Sequence, residues 1–192
     1  MFKIKIVILF LFIFVMLSCA TSLKVTNLND SGYFNTKRFV DKVLFASDVD
    51  ISNYKKLLYV KSELHRNNYD DFLVGSFYRM GIFENVVGKK ELERMIVEKG
   101  FEDKVKDVSS FIQLRQFQKL YGNFLILDLD DVRKSPGLYY KAHLKVYDPS
   151  NGEILLHIFK EGVNWSGIDQ PIFYPLFNGF LDWAHGRKIR TE

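Results

Sequence analysis

Cysteine is nearly absent: Cys19 is the one cysteine in 192 residues. An intramolecular disulfide is excluded, and with it thiolate-rich zinc sites and CxxC redox pairs. An excess of one charge is missing too, with 27 basic against 23 acidic side chains. Lys3 and Lys5 precede an apolar run, and without them the balance falls to 25 against 23, too small a surplus to point to a nucleic-acid partner. Known catalytic spacings are lacking as well. None of the four histidines forms an HExxH pair. Ser166 in Asn-Trp-Ser-Gly has no glycine two residues before it, which rules out a nucleophile elbow. Gly88-Lys89 is followed by Lys90 where a phosphate loop needs Ser or Thr for magnesium. The turn Asp148-Pro149-Ser150-Asn151-Gly152-Glu153 lacks the alternating ligands of a calcium loop.

What is present begins at the N-terminus. Lys3 and Lys5 form a short basic end, Ile6 to Leu17 is uninterrupted apolar sequence, and Ser18 precedes Cys19. That run is shorter than the roughly 20 residues a membrane-spanning helix needs, and it has the length of a secretory leader. Met16-Leu17-Ser18-Cys19 resembles a bacterial lipobox. The resemblance implies a signal peptide over residues 1–18 and lipidation of Cys19 as the first mature residue, with covalent lipid as the only cofactor. The remaining 174 residues suit one domain. At 47% hydrophobic and 16% aromatic, the composition is that of a packed globular protein.

Residues 19–35 are polar and small, with Asn27, Asn29, Asp30, Ser31 and Gly32, and read as a lipid-anchored tether ahead of a single globular domain over 36–192. Phe39, Val40, Val43 and Leu44 fall on one face of a helix opening at Thr36. Lys56 to Val60 reads as a buried strand. Helices are expected over Tyr69–Gly81, over Lys89–Lys99 and from Ser109 or Ser110 to Tyr121, each closed by a glycine (Gly81, Gly100, Gly122), with a strand at Ile82–Val87. After Gly122 the apolar period changes from about 3.6 to 2. Phe124–Val132 is a strand, and Leu138–Tyr147 with Glu153–Lys160 forms a hairpin. Pairing Val146 with Ile154, Leu144 with Leu156 and Ala142 with Ile158 buries one face of it and leaves Lys141, His143, Lys145, Tyr147, Leu155, His157 and Phe159 on the other. Pro175 opens a last helix. The expected fold is α+β with an α/β-like rhythm: a single mixed sheet, a β-hairpin in the C-terminal half, and three to four covering helices.

Three groups are candidates for function. His143 and His157 come opposite each other in that register and are the candidate metal ligands, with no third ligand evident. Asp128 and Asp130 share one strand face and could serve acid–base or cation chemistry, although a solvated strand end leading into Arg133 and Lys134 is the ordinary reading. Phe173, Tyr174, Phe177, Phe180 and Trp183, with Trp165, are the candidate partner-binding surface, because aromatics dominate interface hot spots. Packing of the last helix accounts for the same residues.

Two phrases carry a family resemblance. Ser76-Phe77-Tyr78-Arg79-Met80-Gly81-Ile82-Phe83-Glu84-Asn85-Val86-Val87 is a helix-Gly-Phe-strand step, and Leu144-Lys145-Val146-Tyr147-Asp148-Pro149-Ser150-Asn151-Gly152-Glu153-Ile154 is a strand-Asp-x-x-x-Gly-Glu-strand hairpin. Over about residues 55–186 the pattern resembles the periplasmic lipoproteins related to the curli-secretion lipoprotein, the penicillin-binding-protein activators and PelC. The resemblance implies a non-enzymatic envelope adaptor or activator, lipid-anchored on the periplasmic side of the outer membrane, with an envelope protein partner or a homo-oligomer. The alternatives are a small envelope metal-binding protein or hydrolase using His143, His157 and the Asp128/Asp130 pair, and a lipoprotein exposed on the cell surface.

Overall fold

The computed structural model describes residues 23–62, 69–134, 139–163 and 169–192. Its strands are β1 (Lys42–Ala46), β2 (Leu58–Ser62), β3 (Val86–Val87), β4 (Leu125–Lys134), β5 (Tyr139–Tyr147) and β6 (Ile154–Val163). Its helices are α1 (Tyr69–Arg79), α2 (Lys89–Glu98), α3 (Phe111–Tyr121) and α4 (Tyr174–Ala184). The strands form one open, mixed sheet in the order β1-β6-β5-β4-β2-β3, in which β2 runs parallel to β3 and β4 and the remaining pairs are antiparallel. This is the expected α+β fold. The three glycine stops hold: Gly81, Gly100 and Gly122 all have positive φ, which an L side chain resists and glycine adopts freely.

Alternation along the strands divides the core in two. Leu58, Val60, Leu127, Leu144, Val146 and Ile158 face α1 and α4, which contribute Phe72, Leu73, Phe77, Leu176, Phe177 and Phe180. On the opposite face Tyr59, Val87 and Ile126 meet Leu92 and Ile96 of α2 and Leu114 and Phe117 of α3. Helix α4 lies close to the sheet because Gly179 has no side chain. A Cβ there would sit 3.0 Å from Ile158 Cδ1 and 3.1 Å from Val40 Cγ1.

Three expectations need correction. Thr36 does not open a helix; residues 42–46 are the edge strand β1, antiparallel to β6. Residues 23–35 are not a free tether. Leu23, Leu28 and Tyr33 pack on the core, and Phe34 is buried, its N–H donating to Asn178 Oδ1 at 2.8 Å while Asn178 Nδ2 donates to the Phe34 carbonyl at 2.9 Å. The hairpin register is also displaced. Tyr147 pairs with Ile154, but Val146 then pairs with Leu156 and Leu144 with Ile158, because a bulge inserts the buried Leu155.

The bulge puts Lys160 opposite Ala142 on the core side, where it is 1% exposed. Its Nζ donates to Asp41 Oδ1 at 2.7 Å and Glu192 Oε1 at 2.6 Å. Asp41 Oδ2 also accepts from the Glu161 N–H at 2.6 Å, and the Glu192 N–H donates to the Val40 carbonyl at 3.0 Å. One buried cation thus ties together β1, β6 and residue 192.

Candidate functional site

Helices cover the two ends of the sheet unequally. Around β3, β2 and β4 both faces are packed, whereas α2 and α3 reach no further across than Tyr147, whose ring meets Phe111 at 5.2 Å. Beyond that contact, among the described residues, β5 and β6 carry helices on one face only, and the edge strand β1 is exposed along its whole length. Tyr139, Lys141, His143, Lys145 and Tyr147 are half-buried while the residues between them are buried, as period-two alternation requires.

The register sets the uncovered face out in rows. Asp128 pairs with Lys145, Lys145 with His157, and His157 with Phe45 of β1; Asp130 pairs with His143, His143 with Phe159, and Phe159 with Lys42. Opposite charges lie side by side. Lys61 Nζ is 3.9 Å from Asp128 Oδ2, and Lys141 Nζ is 3.1 Å from Glu161 Oε2 and 5.6 Å from the Phe159 ring centre. Phe45, half exposed at 49%, stands at the margin with Leu44.

At the centre, His143 Nδ1 and His157 Nε2 are 3.0 Å apart, and the His143 ring lies 4.8 Å from that of Phe159. One ring must donate and the other accept, so two protonated imidazoles cannot share this bond. Burial lowers the pKa of both. Lys145 lowers each further, and Asp130 opposes it at His143. Both rings are therefore biased toward the neutral form. Burial, with Asp128 and Asp130 behind it, raises the Tyr147 phenol, and a hydrogen bond to Glu161 raises that of Tyr139.

The hairpin turn beside this face is held by Asp148. Its carboxylate accepts from Tyr54 Oη at 2.7 Å, the Ser150 N–H at 2.7 Å and Gln118 Nε2 at 3.3 Å. Burial alone would raise its pKa, but these hydrogen bonds outweigh burial and leave it lowered.

The structure brings His143 and His157 together on a diagonal rather than directly opposite, since the bulge moves the pairing by two residues. Asp128 and Asp130 lie on the same face, yet no group of three His, Cys, Asp or Glu residues is placed to hold a metal among the described residues. The aromatic candidates are not a contact surface. Phe173, Tyr174, Phe177, Phe180 and Trp183 are between 0% and 6% exposed, enclosed with Phe34, Phe72 and Phe77. The apolar stripe of α4 has a sheet to cover, and it is spent on that. Cys19, Trp165 and Ser166 lie outside the described residues. Phe45 was hidden by the helical reading of its segment, although Val43-Leu44-Phe45-Ala46 between Asp41 and Asp48 is also a strand signal.

No protein-family model matches this chain, and no curated protein matches it. Solved structures with a similar course of strands and helices include the PelC dodecamer from Paraburkholderia phytofirmans, at 11% identity and TM-score 0.43, covering 77% of this chain and 98% of that one. The LpoB C-terminal domain from Escherichia coli matches at 13% identity and TM-score 0.39, covering 63% and 90%. Lipoprotein GNA1162 from Neisseria meningitidis matches at 12% identity and TM-score 0.37, covering 58% and 82%. PelC and LpoB fall within the group that the two sequence phrases resemble. At these identities and scores the likeness assigns neither activity nor partner.

Proposed function

We propose that this is an exported lipoprotein, anchored through Cys19 on the periplasmic side of the outer membrane, that works as a non-enzymatic adaptor or activator by recruiting an envelope protein to the uncovered face of its sheet. The observation that carries the reading is the unequal covering of the sheet. Among the described residues, paired charges, a histidine pair and the rings of Phe45 and Phe159 share one face that no helix covers, and aromatic rings bordered by polar side chains suit protein contacts. The basic-apolar leader over residues 1–18, followed at once by Cys19, supports the lipid anchor.

A photo-crosslinking residue placed at Phe45 or Lys145 should give one adduct of defined mass in intact envelopes. The same residue at Val97, exposed on α2, should give none. Equal adducts at all three positions would remove the face from consideration. Stoichiometric metal in the purified protein that disappears with His143→Ala would replace the adaptor with a metal-binding protein.

A further inference from the structure

We infer that the chain between the lipid and the domain is too short to let the domain leave the membrane, and that the α1 side lies against the phospholipid headgroups while the uncovered sheet face is turned away from the bilayer. This rests on the lipid anchor at Cys19 proposed above.

Only Ala20, Thr21 and Ser22 stand between Cys19 and Leu23, which is packed on the core. Four residue steps span at most about 14 Å when fully extended, at roughly 3.6 Å each. An acylated cysteine sits at the boundary of headgroups and acyl chains, and the headgroup zone takes up about 5–8 Å on each side. What remains is less than about one helix diameter, roughly 10–12 Å. A docked Leu23 therefore presses this side of the molecule onto the surface.

The docked strap identifies which side that is. Val25 crosses α1 at Gly75, so closely that a Cβ on Gly75 would come 2.6 Å from Val25 Cγ2. Thr26 Oγ1 is 3.0 Å from Tyr174 Oη, and Arg79 donates to Asn27. Leu23 and Val25 are half-buried and Lys24 between them is exposed, so the strap shows its cation outward. Tyr78 of α1, 62% exposed, borders Val25 and Asn27 together with the exposed Arg79. Lys24, Arg79 and an amphipathic phenol form a set suited to phosphates and the bilayer interface. Helix α1 packs on the sheet face opposite His143, His157 and Phe159. With α1 against the lipid, those residues point into the aqueous space, where a partner can reach them.

The test uses the full chain, acylated and reconstituted into phosphatidylethanolamine/phosphatidylglycerol vesicles containing a lipid with a headgroup spin label. Acylation occupies the one native thiol, so Tyr78→Cys, Lys145→Cys and Lys42→Cys each accept a fluorophore at a single place. The spin-labelled lipid should quench the fluorophore at position 78, and that quenching should be lost at 145 and 42. A flexible Gly/Ser insert of about 20 residues after Ser22, with an end-to-end distance of roughly 25 Å, should abolish quenching at 78 while palmitate incorporation persists. Equal quenching at 78 and 145 would overturn the orientation, and quenching at 78 that survives the insert would overturn the short tether as what holds the domain down. Absence of labelled palmitate from the unmodified chain would overturn the anchor, and the orientation with it.

Discussion

The buried cation at Lys160 makes an asymmetric prediction: removing its acids should cost much more than removing the base. With Asp41→Ala and Glu192→Ala together, an ammonium that is 1% exposed loses both carboxylates. Breaking a buried pair from one side costs about 3–5 kcal/mol, because the orphaned charge stays desolvated. At an m-value of about 2 kcal/mol/M in urea, the midpoint should fall by roughly 2 M. Lys160→Met removes the charge and keeps an unbranched apolar stem beside Ala142. The acids it leaves behind are partly wet, their side chains 22% and 46% exposed, and Asp41 retains the Glu161 N–H. That variant should lose less than about 1.5 kcal/mol, or gain. Hydrogen bonding to Lys160, and then its charge, hold the Glu192 carboxyl below the usual carboxylate range against the pull of burial. The stability this contact adds is therefore complete above the ordinary carboxylate pKa and declines as pH falls through the lowered one. Urea melts of the soluble chain beginning at Ala20 read all of this. A Lys160→Met loss as large as that of the double acid variant would refute the reasoning.

The histidine pair predicts a second pH effect. Because both folded values are lowered, the unfolded chain binds more protons, so stability should drop as pH falls below the ordinary histidine pKa of about 6.5. Urea midpoints measured on either side of that value should diverge in the native chain and converge in the His143→Gln/His157→Gln variant. Phe177→Ala should cost about 3–5 kcal/mol, since its ring is fully buried against Phe34, Phe72 and Phe77. In chain that remains folded, it should leave crosslinking from Phe45 unchanged; loss of that adduct without loss of fold would return the aromatic group to the contact surface.

Local patterns were read well from the sequence, and distant ones were not. Helices α1, α2 and α3 follow from apolar spacing and a glycine stop, both confined to a dozen residues. The alternation of β5 likewise identified its buried side. The hairpin register failed because one residue, Leu155, bulges, and no composition rule marks that place. Residues 39–44 fit a helical stripe equally well. The strand geometry of Lys42–Ala46 is imposed by β6, more than a hundred residues later. The burial of Phe34 depends on Asn178, and that of Lys160 on Asp41 and Glu192. Such long-range pairs leave no trace in a short window. The uncovered face was visible as Lys141, His143, Lys145 and Phe159, but the end of helical cover at Tyr147 needed the fold.

The contacts that close the molecule join its two ends: Tyr33 to Asp182, Phe34 to Asn178, Val40 to Thr191 and Asp41 to Lys160. Val25 and Asn27 can meet α1 early, but Tyr33, Phe34, Val40 and Asp41 wait for partners more than a hundred residues later. Such high contact order slows folding toward the range of milliseconds to seconds. Its consequence is that these four latches close only after β6, α4 and Thr191 have followed.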